Sequence, residues 1–191
     1  MEFLKTMLVN KIGIRADLTS EFLNIVIKQK ILKNEFLISE GETCKNIAFV
    51  EEGVFRSFVS GNEMEFNNDF YLPNTIATAL TSFLTNTKTN CNIQALTETT
   101  IYSLSKAQLN KLIIENDEWI KLSKYISDNY FIRKCKRETS FLKDNASERL
   151  KVTLELYPNI EQLVSQYHIA SYLGIKPQSL SRLKSSHRLI K

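Results

Sequence analysis

The chain has 191 residues, 43% of them hydrophobic, which allows one large or two small domains with a real core. Its 25 Lys and Arg outnumber 21 Asp and Glu by four, and that excess lies wholly beyond residue 159, where Lys176, Arg182, Lys184, Arg188 and Lys191 face one acid, Glu161. No apolar run approaches bilayer-spanning length, the start MEFLKTMLVNKIGIR does not read as a secretory signal, and Cys44, Cys91 and Cys135 are too scattered for a disulfide framework or a CxxC site, so a cytoplasmic protein is expected.

Thr19 to Gln29 opens with a capping-type residue and carries Phe22, Leu23, Ile25 and Val26, predicting a short helix. The texture then changes as far as residue 104. ILKNEFLIS, NIAFVEE, VFRSFVS, EMEFNNDFYL, TIATAL, CNIQAL and TTIYSL are short, rich in β-branched or aromatic residues and separated by turn formers, which predicts an antiparallel barrel or roll. Gly41, Gly53 and Gly61 each fall at a predicted turn. Ser105 to Ile114 reads as a capped helix closing the roll. From about 117 to 138 a long helix is expected, because Trp119, Leu122, Ile126 and Tyr130 recur every three or four residues. That stripe either pairs with a second copy or packs on the chain's own roll. Lys134 to Asn145 is dense in charge and is expected to hold a hinge, dividing the chain into 1–142 and 143–191. Asn145 with Glu148 reads as a capping box for a helix that Pro158 ends, and Asn159 with Gln162 as a second such box.

The stretch from Leu163 to Lys184 has the layout of two short helices and a tight turn. Ile169, Ala170 and Leu173 share one face of the first, and Leu180 and Leu183 one face of the second. Gly174 supplies a residue free to take positive φ, and Pro177 suits the first helical position. Gln178, Ser179, Ser181 and Arg182 are left outward, the side-chain set that reads base edges in a major groove. Gln178, Ser179 and Arg182 are the candidates for base edges. Lys176, Ser181, Lys184 and Arg188 are the candidates for phosphates, with His168 as a further possibility. The alternative is a helical hairpin whose polar face is only solvated.

The glycine pair Gly41 and Gly53, twelve residues apart around NIAFV, resembles that of the cyclic-nucleotide-binding β-roll, and Gly61, Glu63 and Met64 resemble its hairpin tip. HIASYLGIKPQSLSRLK follows the helix-turn-helix pattern of the same family. Together they make the chain similar to the cyclic AMP receptor and fumarate-nitrate regulator (CRP/FNR) family. The resemblance implies an α+β fold: an N-terminal antiparallel β-roll, a long dimerisation helix and a C-terminal helix-turn-helix. It implies a homodimer on double-stranded DNA with RNA polymerase as a partner. The family's phosphate cassette carries a Gly-Glu pair and an Arg. Here those positions fall near Thr78 or Ala79 and near Thr89, and Lys88 is the sole charged residue between Asp69 and Glu98. An unpaired buried phosphate is costly, so tight binding of cyclic AMP or cyclic GMP is not expected. Either a different, neutral or apolar effector, or a roll kept as a scaffold, follows. Haem and iron-sulfur variants need clustered cysteines or a histidine in the roll; neither is present, and no cofactor is expected. The competing readings are a ligand-binding or protein-interaction module and, more distantly, a cupin-like enzyme, for which residues 1–167 offer no histidine.

Overall fold

The computed structural model describes residues 1–62 and 64–188, the last three as helix backbone. Glu63 at the expected hairpin tip and the Arg188 side chain, along with Lys191 of the basic segment, lie outside the described residues. Helix α1 (Glu2–Thr6) runs into a wider helical turn over Met7–Ile12, and a 3₁₀ turn (Ala16–Leu18) leads into α2 (Thr19–Ile25). Leu4, Met7, Leu8, Ile14 and Phe22 from this N-terminal segment are buried against the sheets that follow.

Eight strands form two four-stranded antiparallel sheets. They are β1 (Ile27–Ile31), β2 (Phe36–Ile38), β3 (Asn46–Glu52), β4 (Phe55–Ser60), β5 (Glu65–Tyr71), β6 (Thr75–Ala77), β7 (Asn92–Ala95) and β8 (Thr99–Ser105). One sheet has the order β1-β8-β3-β6 and the other β2-β7-β4-β5, and the short helix α3 (Leu80–Thr85) bridges β6 and β7. The expected β-roll is therefore present. One boundary differs: the helix predicted through Gln29 stops at Ile25, because Ile27–Ile31 pairs residue by residue with β8 from Ser103 back to Thr99. Nor does Thr19 cap α2, since its hydroxyl donates instead to the Ala16 carbonyl at 2.8 Å. Gly53, at φ +85°, makes the β3–β4 turn where a Cβ would sit 2.5 Å from the Glu98 carbonyl oxygen, so the turn admits no side chain.

Helix α4 (Lys106–Glu115) closes the roll with the expected cap: Ser105 accepts from the Gln108 amide and Gln108 from that of Ser105. A 3₁₀ turn ending at Trp119 leads into α5 (Ile120–Lys143), a single helix of 24 residues. The charged stretch expected to hold a hinge is thus its last turns, and the chain first leaves helical geometry at Asp144. Trp119, Leu122 and Ile126 are buried in the chain's own core, where Trp119 stacks on Phe22 at 5.3 Å and Phe22 meets Phe49 edge-on at 5.4 Å. The apolar stripe expected on this helix accordingly packs on the roll and leaves the opposite face outward.

Asn145 caps α6 (Ala146–Leu156) through the expected box with Glu148. The second box is not made. Asn159 takes the left-handed conformation, φ 61°, to turn the chain into α7 (Ile160–Leu163), and its side chain makes no cap bond. Then come α8 (Gln166–Leu173) and α9 (Pro177–Arg188). Leu150, Tyr157, Ile160, Ile169, Leu173 and Leu180 form a second core, but not an independent one: Val54, Phe70 and Leu72 of the roll belong to it.

Candidate nucleic-acid interface

α8 and α9 are joined as their sequence dictates. Gly174, at φ 68°, ends α8 and its amide donates to Ser171 O, while the Ile175 amide returns to Ala170 O at 3.0 Å. Pro177 opens α9. Ile169, Ala170, Leu173 and Leu180 are fully buried at the crossing, so Ala170 provides the close approach its small size promises.

This core fixes the outward set. Lys176, Gln178, Ser179, Ser181 and Arg182 are all exposed. Lys184 differs, because its ammonium pairs with Glu161 at 2.5 Å and its side chain is only 19% exposed. The lone acid of the basic segment is thereby neutralised by the one lysine on the inner flank of α9. His168 is half-buried between α8 and the roll. Its Nδ1 lies 3.4 Å from Arg56 Nη1 and 3.3 Å from Asn67 Nδ2, on the outer face of the roll. Both neighbours are donors, so Nδ1 accepts and the ring is neutral. Burial, then the Arg56 charge, lower the His168 pKa below the ordinary histidine value, with Glu65 opposing.

His168 belongs to a docking surface that sequence reasoning missed. The Asn67 amide donates to Ser171 Oγ, which donates to the Glu65 carbonyl, each at 3.0 Å, so α8 satisfies backbone groups along the edge strand β5. Arg56, 5% exposed, is held by Glu65 at 2.6 Å and Gln94 at 2.7 Å. Deeper in, Asp69 is 1% exposed and ties three elements together. Its Oδ2 meets Arg133 at 3.1 Å and Lys134 at 3.3 Å, and its Oδ1 accepts from the Tyr157 hydroxyl at 2.6 Å and the Phe70 amide at 2.9 Å. Burial opposes ionisation of Asp69, but the charges of Arg133 and Lys134 outweigh it and hold its pKa below the usual carboxylate value. Phe70, Tyr157 and Tyr172 surround the site, ring centroids 5.3–5.6 Å apart, and burial pushes the Tyr172 pKa up to about 12. An aspartate inside an aromatic strand, NNDFY, is the one sequence signal that marks this site.

The roll also carries a half-open cavity of about 270 Å³ between α3, the segment before β7, and α5. Thr78 and Thr89, the residues standing where carboxylate and guanidinium are expected, both line it and are buried. Lys106 fixes α3 by donating to the carbonyls of Phe83 and Leu84 at its C-terminal end. Lys88 is not the only cation in the lining. Lys134 reaches it from α5, a contribution invisible to a search of the cassette alone. The lining therefore carries two cations, of which Lys134 is also paired to Asp69. Among the described residues no helix is long and apolar enough to cross a membrane.

The sequence profile of the cyclic nucleotide-binding domain matches residues 28–116. No curated protein sequence matches the chain. Among solved structures it is similar to the c-di-GMP responsive global regulator CLP of Xanthomonas campestris, with 11% identity, a TM-score of 0.70 and 92% of each chain covered. A variant of CooA from Carboxydothermus hydrogenoformans gives 17% identity and a TM-score of 0.69, over 89% of this chain and 79% of that one. A cyclic nucleotide-binding domain containing protein of Listeria monocytogenes EGD-e gives 21% identity and a TM-score of 0.67, over 94% and 89%. Residues 28–116 are thus similar to the cyclic nucleotide-binding domain, and the chain as a whole has the fold of these regulator structures.

Proposed function

We propose that the protein is a DNA-binding transcriptional regulator that grips a palindromic operator as a homodimer, with α8 and α9 as its helix-turn-helix. The observation that carries this is the exposed face of α9. Gln178, Ser179 and Arg182 are exposed on α9 together with Lys176 and Ser181, and Glu161, the one acid beyond residue 159, is paired to Lys184. Arg182 has the donor fork for guanine O6 and N7, and Gln178 the donor and acceptor for adenine N6 and N7. Lys176 supplies charge for the backbone, while Lys184, paired to Glu161, contributes less than its sequence position implies. CLP is a global regulator that links cell-cell signaling to virulence gene expression, which agrees with this role.

The dimer reading rests on α5. Ile120, Phe131 and Leu142, exposed by 52%, 68% and 83%, follow one another at eleven-residue intervals and so form one line along the helix, opposite the side that packs on the roll. The effector, in this reading, is something other than cyclic AMP or cyclic GMP, since neither an acid nor an arginine lines the cavity. Selection of bound sequences from a random duplex library tests the proposal directly. A symmetric site with half-sites about 34 Å apart is expected. Recovery of unenriched sequences at low salt refutes it and favours a ligand-binding module without DNA recognition.

A further inference from the structure

We propose that a second cleft of the roll, between β1 and β2, binds a free amino acid with a large apolar side chain, its charged head held between Glu42 and Lys45. This cleft measures about 540 Å³, within the range of about 300–1,000 Å³ usual for small-molecule sites. It is separate from the cavity beside α3, because the two linings share only Thr78 and Ala79. No residue beyond Ser103 lines it, so the long helix and the terminal helical pair take no part.

The lining changes character with depth. Its buried part consists of Ile38, Cys44, Ala48, Thr78 and Ala79. The two polar side chains among these are committed to the chain itself: the Cys44 thiol and the Thr78 hydroxyl each donate to the Asn46 carbonyl at 3.2 Å. No free donor is left there for an occupant, so its inner end is apolar. Phe36, 45% exposed, and the half-buried Leu37 carry the apolar wall outward, where a side chain in the cleft takes the place of water.

The outer part holds one charge of each sign. Glu42 and Lys45 line the cleft, are both exposed, and belong to no ion pair among the described residues. The neighbouring lysines of β1 differ, since Lys28 is paired to Glu51 and Lys30 to Glu98. One oxygen of Glu42 accepts from the Ser39 amide at 2.7 Å, which leaves the other open. Opposite charges three residues apart and unpaired suit a head that carries an ammonium and a carboxylate on one carbon. An occupant with a single charge leaves one of the two unmatched.

Calorimetry on the full chain without DNA tests this, with L-phenylalanine and L-leucine as probes and 2-phenylethylamine, 3-phenylpropionate and glycine as comparisons. Saturable binding of the two apolar amino acids at millimolar concentration is expected, with each single-charge analogue about fivefold weaker than phenylalanine and glycine silent. Glu42→Gln, which keeps an acceptor for Ser39, should weaken phenylalanine and phenylethylamine but spare phenylpropionate. Lys45→Gln should weaken phenylalanine and phenylpropionate but spare phenylethylamine. Lys88→Gln, in the other cavity, should change none of them. No saturable binding of either amino acid, analogues that bind as tightly as phenylalanine, an unaltered phenylalanine affinity in Glu42→Gln or Lys45→Gln, or its loss in Lys88→Gln each overturns the proposal. Because no duplex is present, such a failure is separate from a failure of the selection experiment on DNA.

Discussion

Asp69 shows how one residue sets both stability and architecture. Its carboxylate is almost fully buried and accepts from the tyrosine that ends α6 while facing two cations of α5. Removing one partner of a buried ionic cluster leaves the others uncompensated, which costs about 3–5 kcal/mol. Asp69→Asn is therefore expected to destabilise the chain by that amount, read as a lower urea midpoint; an unchanged midpoint denies Asp69 this role. The pH dependence has a definite sign. The folded pKa is depressed, so the contribution is complete above the ordinary carboxylate value of about 3.9 and disappears as pH falls through the lower folded value. Arg182 acts at the other end of the molecule. Exposed on α9, it is expected to contribute to recognition and little to folding. Arg182→Ala should weaken specific binding by about 1–3 kcal/mol and relax the base preference at its position, which fluorescence anisotropy on matched and mismatched duplexes measures.

At the scale of elements, the pair α8 and α9 is held by the roll as well as by itself. Leu173 and Leu180 are fully buried, and truncating either to Ala should cost about 2–5 kcal/mol. Because Val54, Phe70 and Leu72 complete the same core, the roll does not remain untouched: exchange protection on β5 is expected to fall along with that on α8. His168 makes this contact sensitive to pH. Its folded pKa lies below the ordinary value of about 6.5, so docking is fully supported above that pH and weakens as pH falls toward the folded value, where a second cation is placed against Arg56. The pH at which the His168 ring titrates by NMR checks this; a value at or above that of a free histidine refutes it. The strands β3 to β8 and the crossing of α8 with α9 were legible in the sequence because turn glycines and local periodicity specify them. The edge strand β1 was not, since its partner β8 lies some seventy residues away and pairing overrode a locally helical pattern. The docking of α8 was equally hidden. Arg56, Asn67 and Asp69 look like solvent-facing strand residues until a helix from the far end of the chain covers them. Lys134 passes as one charge among many in KCKRETSFLKDN, and only the path of α5 across the roll brings it beside Lys88.

For the whole molecule the deciding question is what covers the outer line of α5. A helix that packs one side on its roll and leaves Ile120, Phe131 and Leu142 outward has an unpaid hydrophobic face suited to its own copy, and a two-fold pairing is self-complementary by construction. Cys135 lies four residues beyond Phe131 on the same side and is only partly exposed, so in a parallel pairing it meets its own counterpart. A short bismaleimide should join two chains through it, and Cys135→Ser should abolish the product. Phe131→Glu places a carboxylate at the centre of the line and its like-charged copy opposite, which should shift the protein to monomer in sedimentation at the concentrations where the wild type is dimeric. The consequence on DNA follows from geometry. A dimer engages both half-sites of a palindrome in one event, whereas a monomer meets half the phosphates, so the slope of log affinity against log salt should fall by about half in Phe131→Glu. Each α9 remains intact in that variant, and a single half-site duplex should be bound as well as by the wild type. If Phe131→Glu still sediments as a dimer with an unaltered salt slope, the two-fold axis does not run along α5 and the two reading helices are spaced by some other contact.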